Sequence, residues 1–402
     1  MLFTMLKEAV RCGASRTALV DEHVTLSYGQ LYGRVQLLSQ RLERLGVAAG
    51  TRVRIDGAWA HEFVIGFLAA ASIGARVLTG QPQLSTRPKP APASDTELVL
   101  VGSALSGTGI SSRRQAQIAP AAKPCKYRWN SSLPRLCQTG PVLEIPTDQD
   151  GDAVRTQANL VHEAESITEA LGFRTAERIC CLLSIHGTPG LDVALLTSIQ
   201  TRSTLFVLTP GNTPPLSDRV LETRPTVLVT DLSTLFEQPC HHVRSLRDGG
   251  TVRLILAPRC ELLPQVIEAR ATFAERLVTF YHRPDVGIVA VNNHGGTSEC
   301  AGRLLPGVRV SIEGVRTMKS SGAVRRSFGS FVSVDGMPRI FSEYGTEILE
   351  PGIPGRVVIE SRMADLRGTR DGRLHTSEWG FLDIQGELHL LGGLGNTGTL
   401  CA

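Results

Sequence analysis

The sequence lacks a long hydrophobic run. Its longest apolar stretch, Phe63 to Leu78, is interrupted by Arg76. It is shorter than the roughly 20 residues a membrane span requires, so it reads as a buried helix running into a strand. Met1 to Val10 carries Lys7 and Glu8 and has no apolar core, so no signal peptide is expected. There is no C-x-x-C pair. The nine cysteines, odd in number, are scattered at Cys12, Cys125, Cys137, Cys180, Cys181, Cys240, Cys260, Cys300 and Cys401. That argues against a zinc site or a disulfide framework and favours a reducing, cytoplasmic compartment. Charge of one sign is not in excess. Forty-two Lys and Arg face 38 Asp and Glu, a net +4 without blocks, which gives no reason to expect a nucleic-acid or membrane partner. No internal repeat is visible.

What is present is ordinary globular composition, 42% hydrophobic and 20% charged, too apolar for a disordered chain. A length of 402 residues suggests two to three domains. Forty Gly and 22 Pro fit many turns between short strands. Ala18 to Val20 and Val24 to Tyr28 read as two small strands joined by the polar turn Asp21-Glu22-His23. From Ser27 the pattern turns helical: Leu31, Val35, Leu38, Leu42 and Leu45 recur every three or four residues, and Gly46 stops the helix. Arg52 to Ile55 is a strand, His61 to Ala71 a buried helix, and Gly74 to Leu78 leads into another strand. This β-α-β-α rhythm belongs to layered α/β domains. Residues 81–96 and 103–142 are polar and aperiodic, and read as long loops. Helices are expected over Asn159 to Leu171 and Val193 to Ile199, with strands over Arg178 to Ile185, Thr204 to Leu208, Thr226 to Val229 and Val286 to Val291. After Pro306 the texture becomes short β segments with Gly turns, a β-rich C-terminal part.

Six stretches, in order, resemble the adenylate-forming superfamily of acyl-CoA synthetases, aryl and fatty-acyl AMP ligases and peptide-synthetase adenylation domains. Leu26-Ser27-Tyr28-Gly29-Gln30-Leu31 is similar to L-T-Y-x-E-L. Phe67 to Ala75 resembles a helix ending in Gly-Ala before a strand. Thr156-Gln157-Ala158-Asn159-Leu160 resembles T-H-x-N-L, and Arg224-Pro225-Thr226-Val227-Leu228 resembles R-P-T-x-L. Gly302 to Val308 resembles G-x-P-L-P-G-V. Asp371 to Gly386 resembles D-G-x-x-x-T-G-D-x-G-x-x-D-x-x-G. The resemblance implies an α/β fold: two layered α/β subdomains, over 1–142 and 143–305, then a small distorted β-barrel over 306–402. It implies ATP or AMP and Mg²⁺ as cofactors, and a small carboxylic acid or acyl-adenylate as ligand. CoA, an acyl carrier protein or a separate lid chain are the partners it suggests.

The chemistry joins a carboxylate to the α-phosphate of ATP, so the site must stabilise negative charge with backbone N–H groups, a cation and Mg²⁺. The family's phosphate loop, T-S-G-T-T-G-x-P-K-G, falls at Leu143 to Asp152. There the lysine and most glycines are gone, and Asp148, Asp150 and Asp152 have come in. Those three read as a solvated acidic turn, because Ala153 and Asn159 break the calcium-loop pattern. His186 lies in a stretch resembling P-L-x-H-x-x-G, where the family places a ring near the acyl carboxylate; a histidine packed at a strand end is the plainer alternative. Asn293 to Glu299 sits at the Y-G-x-T-E place, whose aromatic stacks on adenine and whose acid helps hold Mg²⁺. Aligned on the acid, Gly296 is the glycine, Ser298 the threonine and Glu299 the acid and metal ligand, with Gly295 in place of the aromatic; aligned on His294, a stacking ring is kept but Ser298 stands in place of the acid. Thr376-Ser377-Glu378 occupies the T-G-D place, where the acid takes the ribose hydroxyls; an exposed acid beside a turn is the alternative. Gly392 to Asn396 stands at G-R-x-D-D without its Arg and Asp, and the mobile lid with its lysine has no counterpart in the sequence. The expectation is a degenerate ligase-like protein that keeps an acyl or adenylate pocket. The alternatives are an active ligase with its lid supplied in trans, and a non-enzymatic assembly or regulatory module.

Overall fold

The computed structural model describes residues 1–56, 59–78, 97–101, 140–145, 153–208, 216–236, 251–258, 269, 271–273, 276–293, 300–313, 330–334, 337–341, 347–348, 352–364 and 373–393. They form two compact units. The first comprises Met1–Thr168 and Phe173–Pro225, the second Glu169–Gly172 and Thr226–Ala402.

The first unit opens with helix α1 (Leu2–Gly13), whose Leu2, Leu6 and Ala9 are buried. Their spacing of four and three is the helical period, a signal present in the sequence. Strands β1 (Thr17–Val20) and β2 (Thr25–Ser27) pair antiparallel. Asp21 closes their turn by accepting from the His23 and Val24 amides at 3.0 and 2.9 Å. Helix α2 (Tyr28–Arg44) buries Leu31, Val35, Leu38 and Leu42, as the period requires, whereas Leu45 at its end is exposed. Gly46, at φ +83°, takes the left-handed turn that ends it.

Strand β3 (Arg52–Asp56) is followed by helix α3 (Ala60–Ser72), buried from His61 to Ala71. Its mixed apolar face reflects its position: it packs on β3 and β4 (Arg76–Leu78) and also on α1 and α2. With β5 (Glu97–Val101), β6 (Pro141–Ile145) and β7 (Ala153–Thr156), these strands make a sheet in the order β5-β3-β4-β6-β7. All its pairings are parallel except β6 with β7. A second set runs β8-β9-β1-β2, with β8 (Arg178–Cys181) and β9 (Thr204–Val207) parallel to each other and β9 parallel to β1. Residues 81–96 and 103–139 lie outside the described residues. The helix expected over Val193 to Ile199 is longer, from Thr188 to Thr201, and its middle, Leu191–Leu196, is π-helical.

A buried ion cluster anchors that π segment. Arg155 on β7, fully buried, donates from Nη1 to Asp192 at 2.8 Å and from Nη2 to Glu163. Glu163 and Asp192 are also 0% exposed. The Arg155 guanidinium is held well above its usual range, because the two carboxylates outweigh the downward pull of burial.

The second unit is β-rich. Strands β10 (Val227–Val229), β11 (Leu254–Pro258) and β12 (Leu277–Arg283) are parallel. From β12 onward every pairing is antiparallel, through β13 (Gly287–Asn292) and β14 (Cys300–Leu304). The remaining strands are β15 (Val308–Glu313), β16 (Ser330–Val334), β17 (Met337–Phe341), β18 (Glu347–Ile348), β19 (Gly355–Ser361), β20 (Leu374–Leu382) and β21 (Leu388–Gly393). Their order, β18-β17-β16-β15-β19-β20-β21-β14, is an open run; no pairing closes it into a barrel among the described residues. Gly302 sits at a register shift between β14 and β21 with φ +97°. A Cβ there would lie 2.2 Å from the Val291 carbonyl oxygen, so only glycine fits.

Candidate active site

Several motif residues prove to be structural. In the L-S-Y-G-Q-L stretch, Ser27 Oγ accepts from the Gln30 amide at 3.2 Å, and Gln30 Oε1 accepts from the Ser27 amide at 2.9 Å. This reciprocal cap starts α2. The Tyr28 hydroxyl lies 3.0 Å from the Ser198 carbonyl and 2.7 Å from that of Ser203, tying α2 to the strand β9 entrance. Burial pushes that phenol well above its ordinary range. In T-Q-A-N-L, Asn159 Oδ1 accepts from both the Thr156 amide and hydroxyl at 2.7 Å, and the Asn159 amide donates to Thr156 Oγ1 at 3.2 Å. That spacing caps the helix Gln157–Ala170.

His186 follows β8 in the first unit. Its ring centroid lies 4.6 Å from that of Phe63 on α3, tilted by 56°. The helix after it begins against the loop: a Cβ on Gly190 would fall 2.3 Å from the Ser184 carbonyl oxygen, so the glycine lets the helix approach. The same unit holds a second oriented imidazole. His61 Nδ1 is 2.6 Å from Asp21 Oδ2, which also accepts from the His61 amide at 3.0 Å. Burial alone would raise the Asp21 carboxyl. The His61 ring and the amides of His23, His61 and Val24 outweigh it and hold the carboxyl at about 2.

In the second unit, Thr376 and Glu378 both lie on β20. Thr376 is buried, and its hydroxyl donates to the Val357 carbonyl at 2.7 Å while accepting from the Glu378 amide at 3.1 Å. The Glu378 carboxylate faces β12. Its Oε2 accepts from the Tyr281 hydroxyl and, at 2.9 Å, from Arg283 Nη1. Arg283 also grips Asp285 in a fork, Nε to Oδ1 at 2.9 Å and Nη2 to Oδ2 at 2.7 Å. Tyr281 and Arg283 are buried, while Glu378 keeps about a quarter of its side chain exposed, 25%. Burial, together with the Glu378 charge, pushes the Tyr281 phenol well up, so it stays a neutral donor. Burial draws the Arg283 guanidinium down, but the Asp285 and Glu378 carboxylates outweigh it and keep it a cation.

Gly296, Ser298 and Glu299 lie outside the described residues, as do Asp148, Asp150 and Asp152 of the phosphate-loop stretch. His186 belongs to the first unit and Glu378 to the second.

Residues 6–101 match the model of a family described as AMP-binding enzyme. Solved structures agree over nearly the whole chain. VinN in complex with L-aspartate is 17% identical, with 98% of each chain covered and a TM-score of 0.68. A long-chain-fatty-acid CoA ligase of Rhodopseudomonas palustris, described as such by similarity, is 17% identical over 97% of this chain and 98% of that one, TM-score 0.70. A Mycobacterium tuberculosis fatty acyl CoA synthetase is 16% identical over 98% of this chain and 78% of that one, TM-score 0.72. The chain has the fold of the adenylate-forming enzymes. No curated protein matches the sequence significantly.

In the second unit, Tyr281 and Arg283 on β12 meet Glu378 on β20, a contact that no local pattern in the sequence reveals. Among the described residues, no group of three or more His, Cys, Asp or Glu is placed to hold a metal ion, and no helix is long and apolar enough to cross a membrane.

Proposed function

We propose that this protein is a degenerate acyl- or aryl-carboxylate AMP-ligase-like protein with little ATP-dependent activation of its own. One observation carries the reading. Glu378, at the position of the ribose-binding acid, has an oxygen already engaged by the Tyr281 hydroxyl and the Arg283 guanidinium. That leaves mainly the other oxygen, Oε1, for ribose hydroxyls, and a hydroxyl approaching Oε2 competes with donors of which a charge-assisted one contributes roughly 1.5–3 kcal/mol. The loss of lysine and glycine from Leu143 to Asp152 supports the same reading, since that loop would otherwise supply the cation and amides for the phosphates. Glu299, the acid expected to hold Mg²⁺, lies outside the described residues.

The ligand class is a small carboxylic acid or its adenylate, with His186, held against Phe63, beside the acyl carboxylate. VinN binds L-aspartate in its solved complex, and an o-succinylbenzoate CoA synthetase of Bacillus subtilis binds a product analogue. These are acids or acid derivatives, which supports that class. CoA, an acyl carrier protein or a separate lid chain are the partners to test. The free thiols of Cys12, Cys180, Cys181 and Cys300 suit a reducing compartment such as the cytoplasm.

The test is ATP–pyrophosphate exchange with a panel of fatty and aromatic acids, alongside thermal shifts with AMP, ATP and non-hydrolysable acyl-adenylate mimics. Losing one preorganised donor costs about a hundred-fold in rate, so exchange is expected near background. A mimic that binds the native state raises Tm by mass action. Robust exchange that Glu378→Ala abolishes would refute the reading.

A further inference from the structure

We propose that the outer side of helix α2 is a docking surface for a protein partner that presents an acidic helix. Arg34, Leu37, Arg41, Arg44 and Leu45 follow one another at helical spacing. At 3.6 residues per turn they fall within a sector of roughly 100°, one continuous side of the helix. The core-facing Leu31, Val35, Leu38 and Leu42 take the adjacent sector. Leu37 is 68% exposed, the most of the exposed large apolar side chains among the described residues, and Leu45, at the C-cap, is 48% exposed. Arg34 and Arg44 are exposed and Arg41 is half-buried. Among the described residues none of these three arginines has a carboxylate partner, whereas Arg11, Arg52, Arg155 and Arg219 of the same unit each meet one. Glu43 is the one acid of α2, and it points away, roughly 150° around the axis from the middle of the stripe.

A solvated helix side normally mixes the two signs of charge. This one carries a single sign, with two leucines set among the arginines. The occupant follows from that combination. A second copy of the chain would bring arginine against arginine, so self-pairing through this side is opposed by like charge. A nucleic acid would neutralise the arginines but gain nothing from the leucines, and the stripe has no aromatic ring for a base to stack on. A membrane surface requires a broad apolar face, and α2 has turned its broad face to the core. A protein helix with carboxylates flanking small apolar residues answers both features. Its acids accept from the guanidinium forks, and its apolar positions pack on Leu37 and Leu45. From Arg34 to Leu45 the stripe runs roughly 16 Å, about three turns, which matches a helix of ordinary length.

The test uses the full chain and needs no nucleotide or acid substrate. The probe is a fluorescein-labelled helical peptide of Ala and Glu with Leu at i, i+3 and i+7, and its twin has Lys for every Glu. Fluorescence anisotropy is followed at low and at physiological salt. The acidic peptide is expected to bind the parent, more weakly as salt rises, and the Lys twin is not. Arg34→Glu, Arg41→Glu and Arg44→Glu together should cost roughly ten-fold or more in affinity and should admit the Lys twin. Leu37→Ser with Leu45→Ser keeps every charge and should still cost roughly five-fold or more. Lys7→Glu, on the exposed side of α1, lowers the net charge away from the stripe and should change affinity by less than about two-fold. A folded parent that does not bind the acidic peptide overturns the proposal, and so does binding that the leucine changes leave intact. Phosphatidylserine vesicles that bind through the same residues, without peptide binding, overturn it too. If the arginines serve only the C-terminal end of α2, their replacement will shift Tm and leave peptide affinity unchanged, which also refutes docking. Circular dichroism establishes that each variant is folded. Where the triple Glu variant is not, the three Arg→Gln changes take its place, and if neither folds the leucine pair and Lys7→Glu decide.

Discussion

Replacing Arg155 by methionine isolates the energetics of the ion cluster under the π-helical segment. Methionine keeps much of the length and apolar stem of arginine but supplies no charge. In the parent, Arg155 donates to Asp192 at 2.8 Å and to Glu163, and all three residues are 0% exposed. The substitution leaves two buried carboxylates facing a thioether. Removing one partner of a buried ion pair typically costs about 3–5 kcal/mol, because the charge left behind is uncompensated. At roughly 2–4 °C per kcal/mol for a unit of this size, Tm should fall by about 10 °C or more. The loss should also depend on pH. Without the cation, both carboxyls are expected to have folded pKa values above their unfolded ones. Their penalty is then smallest at low pH and grows as pH rises toward neutrality. The triple variant Arg155→Met, Glu163→Leu, Asp192→Leu should recover much of the loss, since replacing a whole buried cluster with apolar groups is often neutral or stabilising by roughly 1–4 kcal/mol. Urea unfolding at pH 5 and pH 7.5 measures all of this. A single-variant loss below about 1 kcal/mol, or one independent of pH, would refute the view that these charges depend on one another.

Three further outcomes are expected. Asp21, held at about 2 against an ordinary 3.8, contributes stability that is full above 3.8 and disappears as pH falls through about 2; Asp21→Asn should flatten that part of an acid titration followed by circular dichroism. Gly302→Ala should destabilise by about 2 kcal/mol or more in chemical unfolding, because it combines φ +97° with a 2.2 Å contact to the Val291 carbonyl oxygen; a neutral result would mean the β13–β14 backbone shifts freely. Burial pushes the Cys180 and Cys181 thiols up to about 12, so iodoacetamide at pH 8 should label exposed Cys12 in the native protein and reach the pair only on unfolding, as read by peptide mass mapping.

The sequence by itself determined the features whose physics is local. The Ser27–Gln30 and Thr156–Asn159 caps need partners only three residues apart. The buried face of α2 follows from the helical period, and the α/β layering of the first unit from strands alternating with helices. Helix α1 was legible in the same way, from Leu2, Leu6 and Ala9. The tertiary structure alone decided which charged residues meet. Nothing in the neighbourhood of Arg155 marks Asp192 as its partner, and nothing around Glu378 points to Tyr281 and Arg283, 97 and 95 residues away. An ion pair imposes no period on the sequence, and a lone Arg or Glu reads the same on a solvated face as in a closed cluster. What separates the two is the side of the strand each residue occupies and the loss of water around it, and those follow from strand pairing across the sheet.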